Sequence, residues 1–422
     1  MFHLFREGYR GVVAIRDIPK GVVLLRIGRS CCIGPQTSDS TKDEWREAMS
    51  SSEIMGIASN DSHSTKPRLS KACFTVLRIL HELGLGEASP FHSYLSVLPQ
   101  DHRIPIEWNA AELSLLKSTA AEPLVGAGTL QNQFVVFEQM VARHPKIWVP
   151  NMSTKDMFAR AVNWVRSRGF TVFGEPYMIP GADMFNHDPD HQSVQFATDE
   201  DDHFIMQTVH PVNAGEELFS SFGHLSNAQL LNSYGFILPG NPFDTVLIPR
   251  ELVIECCHKI FISTEGGSSM EDEADTVWQQ RLSMVDNLSE FAQAGSAFLI
   301  SKYDLLPEDL AEMVQILIVS SDPEVVYGTI ASIAQAKLGQ YSSAFRSDES
   351  THASAEGEEE VAVPGGMARR DALSLARMLV AEEKKILKDL RVQLMTEVLE
   401  GSDEDEDEGD KGASAKKQRT GP

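Results

Sequence analysis

Cysteine is scarce, with five in 422 residues, and they fall as the adjacent pairs Cys31-Cys32 and Cys256-Cys257 plus Cys73. No CxxC or CxC spacing suits zinc, so no metal site is expected. Adjacent cysteines rarely bridge each other, and buried thiols in a reducing compartment are the simpler expectation. The chain also lacks any run of about 18 uncharged apolar residues, and residues 1–10 have no apolar signal core. A cytoplasmic and/or nuclear protein without a membrane span follows as an expectation. Internal repeats of about 20 to 50 residues are missing, which excludes solenoids and propellers. Positive charge is in short supply: 37 Lys and Arg face 61 Asp and Glu, for a net charge of -24. The mean field therefore repels phosphate backbones and anionic membranes, and neither is expected as a partner. A basic protein would be steered inward, although acidity also serves solubility.

What remains is a globular chain, with 42% hydrophobic and 23% charged residues, long enough for two domains. In GVVAIRDIPKGVVLLRI, β-branched runs flank Asp17-Ile18-Pro19-Lys20-Gly21, which predicts a hairpin. From about Thr41 to Arg168 the pattern is helical; Met157, Phe158, Ala161, Val162 and Val165 share one face. Strands return from Phe170 to Ile248, where VQFA and FIMQTV flank the acidic Thr198 to His203 as a second hairpin. Because a lone hairpin is marginally stable, the two β-halves should meet in space across the helical insertion. Beyond Pro249 the chain turns helical. One helix starts near Pro307 in LPEDLAEMVQILIV, and the last carries Leu379, Ile386, Leu387, Leu390 and Leu394 as one apolar stripe. Arg346 to Met367 and the tail from Gly401 have the composition of disorder. The tail ends in Lys416-Lys417-Gln418-Arg419, readable as a nuclear import signal or as plain solubilising charge.

Four segments carry the functional signal: REGYRG near the start, RSRGF at 166–170, PGADMFNHD at 180–188 and GEELFSSFGHLSNAQLLNSYGF at 215–236. Singly they are weak. Gly8-x-x-Gly11 before a strand is a tight turn, Asn186-His187 fits a turn beside a core histidine, and Tyr234-Gly235-Phe236 is ordinary packing. In this order, interrupted by a helical insertion, they resemble the SET-domain protein methyltransferases. The subgroup is that of the ribulose bisphosphate carboxylase large-subunit lysine methyltransferase and the actin-histidine methyltransferase. FHSYLSVLPQDHRIPIEW at 91–108 is similar to that subgroup's insertion signature.

The resemblance reaches to about Glu400 and implies an α+β fold. It comprises small curled β-sheets with a knot-like C-terminal segment and a helical insertion, followed by an all-α substrate-binding domain. The implied divisions are 1–40 and 169–248 for the SET halves, 41–168 for the insertion, 249–400 for the helical domain and 401–422 for a disordered tail. The implied reaction moves a methyl group from S-adenosyl-L-methionine to a protein side chain, most simply the lysine ε-amine, in a monomeric enzyme. Only a neutral amine has the lone pair to attack, and an apolar aromatic channel both lowers its pKa and steadies the cationic product. By the same resemblance, Glu7, Gly8, Arg10, Asn186 and His187 hold the cofactor, with Tyr234, Gly235 and Phe236 closing its pocket, and Tyr234 is a catalytic candidate. Arg168, Asp183 and Phe222 line the substrate side.

Phe222 departs from the family pattern, which has a tyrosine there with its hydroxyl directed at the transferring methyl. Loss of such a group could remove a few kcal/mol of transition-state stabilisation. Three readings stay open: an enzyme in which Tyr234 and backbone carbonyls suffice, a cofactor-binding pseudoenzyme acting as an adaptor, or a site approached by another tyrosine such as Tyr177. Arg168 matches the lysine-specific relatives; the histidine-specific relative has a short amide there, and protein-histidine methylation is the alternative.

Overall fold

The computed structural model describes residues 2–6, 9–34, 72–125, 129–149, 153–264, 271–287, 296–341 and 371–413. They fall into two compact units, one drawn from Met1–Leu115, Ala121–Leu238 and Glu359–Leu375, the other from Leu116–Ala120, Pro239–Glu358 and Ala376–Pro422.

In the first unit, β1 (Phe2–Arg6) pairs antiparallel with β2 (Tyr9–Val12). A five-stranded sheet contains β3 (Val23–Ile27), β6 (Asn186–His187), β7 (Gln192–Thr198), β8 (Phe204–Thr208) and β9 (Phe219–Ser220), in the order β3-β8-β7-β9-β6. Along β8, Phe204, Met206 and Thr208 are buried while Ile205 and Gln207 are half-buried, the period-two pattern of a strand with one covered face. The expected β7–β8 hairpin is present, with Thr198 opposite Phe204. Its acidic turn is closed by Asp199 Oδ1, which accepts from the backbone of Asp201 at 3.0 Å and of His203 at 2.9 Å.

The hairpin expected around Asp17–Gly21 does not form. Its two flanks take other partners: β2 lies on β1 and β3 on β8. The returning half of the chain supplies the remaining bonds, with Ala14 N donating to Glu216 O at 2.9 Å and Leu218 N to Val12 O at 2.8 Å. The two β-halves thus meet as anticipated, and that meeting is what displaces the local hairpin. A genuine two-residue hairpin occurs elsewhere, joining β4 (Phe170–Val172) to β5 (Glu175–Tyr177) through Phe173 and Gly174, both with positive φ.

The insertion contributes α1 (Ala72–Leu85), α2 (His92–Val97), α3 (Ala110–Ser114), α4 (Thr129–Arg143) and α5 (Lys155–Arg168). Thr154 starts α5 by accepting from Met157 N at 3.3 Å. The buried face of α5, with Phe158, Ala161, Val162, Trp164 and Val165, joins Leu77, Ile79, Leu80, Phe137 and Trp148 in one apolar core. A separate core under the sheet gathers Ala14, Ile179, Phe185, Val194, Phe204, Met206 and Leu218. Helix α6 (Asn227–Tyr234) follows the sheet; a Ser226–Gln229 capping box opens it, and Gly235 closes it at φ +73°.

The second unit contains β10 (Thr245–Pro249), α7 (Arg250–Thr264), α8 (Glu271–Asp286), β11 (Ala297–Ser301), α9 (Glu308–Ile318), α10 (Pro323–Gln340) and most of α11 (Ala372–Ala413). Pro307 precedes α9, and the α11 stripe from Leu379 to Leu394 is buried, both as expected. Three expectations shift. The unit is helical but not all-α, because β10 and β11 form a two-stranded antiparallel sheet. That pairing draws β10 out of the SET half, so the division falls at Leu238/Pro239 and not at Ile248. Helix α11 runs on through Gly401 to Ala413, where disorder was expected: elongating an existing helix needs no new nucleus, and the acidic run holds no proline. Residues 346–367 and 414–422 lie outside the described residues. Cys32, Cys73, Cys256 and Cys257 are buried thiols, whereas Cys31 is exposed. No single helix among the described residues is long and apolar enough to cross a membrane.

Candidate functional site

The short strands β6 and β9 pair in parallel, Asn186 opposite Phe219 and His187 opposite Ser220. Since β7 also lies parallel to β9, β9 is inserted between two strands that precede it in the chain. This insertion brings the Asn-His segment beside the segment ending in Phe222. The Phe222 backbone N–H donates to His187 Nδ1 at 3.0 Å, so that nitrogen carries a lone pair and the ring proton sits on Nε2. Burial lowers the His187 pKa, with Asp188 opposing the shift, and the ring is held neutral.

An aromatic cluster grows from that bond. The Phe222 ring stacks on His187 at 5.0 Å between centroids and lies 4.7 Å from the Tyr234 ring. Phe236 completes the group at 6.2 Å from His187 and 6.3 Å from Tyr234. Burial raises the Tyr234 phenol pKa. The Asn-His and Tyr-Gly-Phe segments, expected to meet from the sequence, do so.

Beside the cluster opens a cleft of about 590 Å³, lined among others by Arg10, His102, Arg168, Asp183, Asn186 and Phe222. Asn186 is buried and its amide Nδ2 donates twice, to Arg10 O at 2.8 Å and to Glu217 Oε1 at 2.7 Å. Gly11 is required by the same bonds: a Cβ there would stand 2.2 Å from Glu217 Oε1 and 3.0 Å from Asn186 Nδ2. The Asp183 side chain is fully buried, accepting from Tyr94 Oη at 2.9 Å and lying 3.6 Å from Arg168 Nη1. Burial raises the Asp183 pKa, and the Arg168 guanidinium pulls it back. Arg168 Nη1 also donates to Asp183 O at 2.9 Å.

Nine of the eleven candidate residues therefore fall around one cleft and its aromatic wall, Gly235 among them as the left-handed cap beneath Tyr234. Glu7 and Gly8 lie outside the described residues. Tyr177 does not approach the site. Its ring packs 5.5 Å from Phe204 and under the Arg29 guanidinium at 5.6 Å, which removes Tyr177 from the third reading of the Phe222 substitution; the tyrosine that reaches the cleft residues is Tyr94, through Asp183. Sequence reasoning missed Tyr94, His102 and Glu217. The first two sit in the 91–108 segment that was singled out only as a block, and Glu217 lies at the start of another quoted segment.

A trio outside the cleft, Asp199, Asp201 and His203, comes close enough to share an ion. Arg26 already bonds Asp199 and Asp201, each at 2.6 Å, and the trio receives no metal assignment.

Two features of the cleft fit a polar, charged cofactor. Arg168 Nε is buried with no hydrogen-bond partner among the described residues, a donor left for a ligand acceptor. The backbone at Gly11 tolerates no side chain, so bare main chain packs against the Asn186 amide, next in sequence to the cleft-lining Arg10.

The SET-domain family model matches residues 9–223. Among curated proteins, the chain is 26% identical to N-lysine methyltransferase SETD6 of Mus musculus over 257 residues, 56% of this chain and 50% of that one. It is 28% identical to the chloroplastic ribulose-1,5 bisphosphate carboxylase/oxygenase large subunit N-methyltransferase of Nicotiana tabacum, over 57% of this chain and 48% of that one. The chain spans about half the length of these curated relatives. Among solved structures, Rubisco LSMT bound to sinefungin and monomethyllysine superposes with a TM-score of 0.62 at 19% identity, covering 95% of this chain and 88% of that chain. The same enzyme bound to AdoMet gives 0.57, also at 19% identity, over 94% and 87%.

Proposed function

The chain belongs to the SET-domain family, and from that premise we propose that it transfers a methyl group from S-adenosyl-L-methionine to the ε-amine of a lysine in a protein substrate. The observation that carries this reading is the convergence of Asn186-His187 and Tyr234-Gly235-Phe236 on one aromatic wall beside a cleft holding Arg10, Arg168 and Asp183. The names of the relatives support it, an N-lysine methyltransferase in one case and a protein N-methyltransferase in the other, and the superposed structure holds monomethyllysine.

The bound donor supplies an electrophilic methyl on a sulfonium. The protein's own residues have three tasks. The backbone at Arg10 and the Asn186-His187 strand form the donor's wall, held in place by the two Asn186 amide bonds. Arg168, with Nε unengaged, offers a hydrogen bond to a donor or substrate oxygen. The rings of Phe222, Tyr234 and Phe236 line the approach of the amine; they exclude water, lower the amine pKa so that a lone pair is available, and face the cation that forms. Catalysis of this kind is chiefly positioning.

Phe222 supports a second reading, a cofactor-binding adaptor. The ring is clamped between His187 and Tyr234, so its place in the wall is kept while the hydroxyl is missing. Labelled S-adenosylmethionine incubated with the protein and a cell lysate separates the two: labelled protein bands are expected of the enzyme, and donor binding without label would leave the adaptor. Phe222→Tyr should raise the transfer rate by about tenfold or more, as restoring an oxyanion-type hydrogen bond does; an unchanged rate would remove Phe222 from the reacting centre. The substrate is expected to be basic around its target lysine, given the net charge of -24. A monomer in the cytoplasm and/or nucleus completes the proposal, and a fluorescent fusion lacking residues 401–422 tests whether the basic end directs it.

A further inference from the structure

The wall formed by Tyr234 is held from behind by a residue to which nothing above gives a role. His102 lies in the LPQDHRIPIEW stretch of the insertion, and its Nε2 is 2.7 Å from the Tyr234 carbonyl oxygen, across 132 positions of sequence. A carbonyl can only accept, so His102 Nε2 bears the proton and donates. Burial lowers the His102 pKa, with Arg160 and Arg168 adding to the shift and Asp101 and the Tyr234 bond opposing it; the ring stays neutral.

The contact is more than one bond. Gly235, the left-handed cap of α6, leaves no room for a side chain, because a Cβ would lie 2.8 Å from His102 Cε1 and 2.9 Å from Arg103 O. The end of α6 is therefore pressed against the 102–103 backbone. That backbone is itself tied down: His102 O accepts from Arg160 Nη1 and from Asn163 Nδ2, both at 2.7 Å and both from α5. Glu107 anchors the two donors, lying 3.2 Å from Arg160 and accepting from Asn163. The Asn163 side chain is fully buried, so these bonds form away from competing water. On its other side His102 lines the cleft.

We propose that His102 is a positioning residue for the methyl-transfer site, fixing the Tyr234 carbonyl and so the tilt of the Tyr234 ring against Phe222, with Asn163, Arg160 and Glu107 as its rigid support. The inference rests on the proposed methyl transfer for its functional meaning, but the brace can be tested without the donor. In the absence of the donor, His102→Ala should accelerate amide hydrogen exchange in residues 232–237 by about tenfold, the worth of one partly buried hydrogen bond. His102→Gln, whose side-chain amide can reach the same carbonyl, should restore wild-type exchange. Calorimetry with S-adenosylmethionine should follow the same order, with affinity weakened several-fold in the alanine variant and recovered in the glutamine variant. Circular dichroism identifies a variant that has not folded; should His102→Ala fail this check, Asn163→Ala, which loosens the support, takes its place in both measurements. Unchanged exchange in a folded His102→Ala protein would overturn the brace. Faster exchange with unchanged donor affinity, or loss that glutamine does not rescue, would overturn the positioning role. A wild-type chain indifferent to the donor would instead sink the methyl-transfer reading, leaving exchange to decide on the brace.

Discussion

Two buried carboxyls, one in each unit, have nearly the same surroundings and different uses. Asp183 in the first unit accepts from the Tyr94 hydroxyl at 2.9 Å and sits 3.6 Å from Arg168. Glu383 in the second accepts from the Tyr341 hydroxyl at 2.6 Å and from Ala120 N at 2.8 Å. Near it Lys337 Nζ donates to Ser118 O at 2.7 Å. Burial raises the pKa of both acids, that of Glu383 to about 7. A shifted carboxyl beside a tyrosine is therefore no mark of function by itself. What separates them is the neighbour each holds. Both carboxyls are buried with both oxygens bonded to protein donors, but Asp183 holds Arg168, which lines the cleft and keeps an unengaged nitrogen, whereas Glu383 ties Ala120 and Tyr341 together in the helical unit.

That contrast predicts different outcomes for mutation. Glu383→Ala should give the largest loss of stability, about 3 kcal/mol, because it leaves the Ala120 amide and the Tyr341 hydroxyl buried without an acceptor. Donor affinity in the folded protein should stay within a factor of two. Chemical denaturation beside calorimetry checks both halves, and a loss of donor binding without a loss of stability would erase the distinction. Asp183→Asn should weigh chiefly on the reaction. Transfer to lysine falls about tenfold or more, readable as kcat/KM, beside a stability loss of about 1–3 kcal/mol, because one amide oxygen cannot accept from both Tyr94 and Gly181.

The smallest effect is on pH dependence. The raised pKa of Glu383 means that the folded state holds a proton which the unfolded chain releases near pH 4.3. Its contribution is complete below that pH and is lost as pH rises through about 7. His102 and His187 have lowered values; their contribution is present above about 6.5 and is lost as pH falls through their folded values. Raising pH from 5 to 8 should therefore loosen the second unit while these histidines tighten the first. Asp183, also raised, opposes the histidines, so an Asp183→Asn background isolates their slope. Thermal unfolding across pH should show a flatter alkaline limb in Glu383→Gln, and a limb as steep as wild type would mean that Glu383 is ionised throughout.

Much of the site was legible because the chemistry is carried by short runs of unlike residues, Asn186-His187 and Tyr234-Gly235-Phe236, whose order along the chain implied the fold. The β7–β8 hairpin and the stripe of α11 could be read from local periodicity. The failures were non-local. The flanks of Asp17–Gly21 have the pattern of a hairpin, but Val212, Glu216 and Leu218, some 200 residues later, take their hydrogen bonds. His102 was passed over for a similar reason: a histidine after Gln100-Asp101 has no local signature, and its role is set by a carbonyl 132 residues away. The β10–β11 pairing escaped because two helices, α7 and α8, separate the strands along the chain, so no local pattern links them.

The insertion of β9 between β7 and β6 has a consequence for biosynthesis. Residues 186–187 have no ladder partner until residues 219–220 emerge, and the wall waits further for Tyr234 and Phe236. Domains assemble as the chain is delivered, N-terminal parts first, so the donor pocket, whose wall comes from residues this late in the first unit, should be among its last parts to assemble. A ribosome-tethered chain ending at residue 215 would then hold the helical core of the insertion and no capacity for the donor, gained only when the threaded strand and the aromatic end have been delivered.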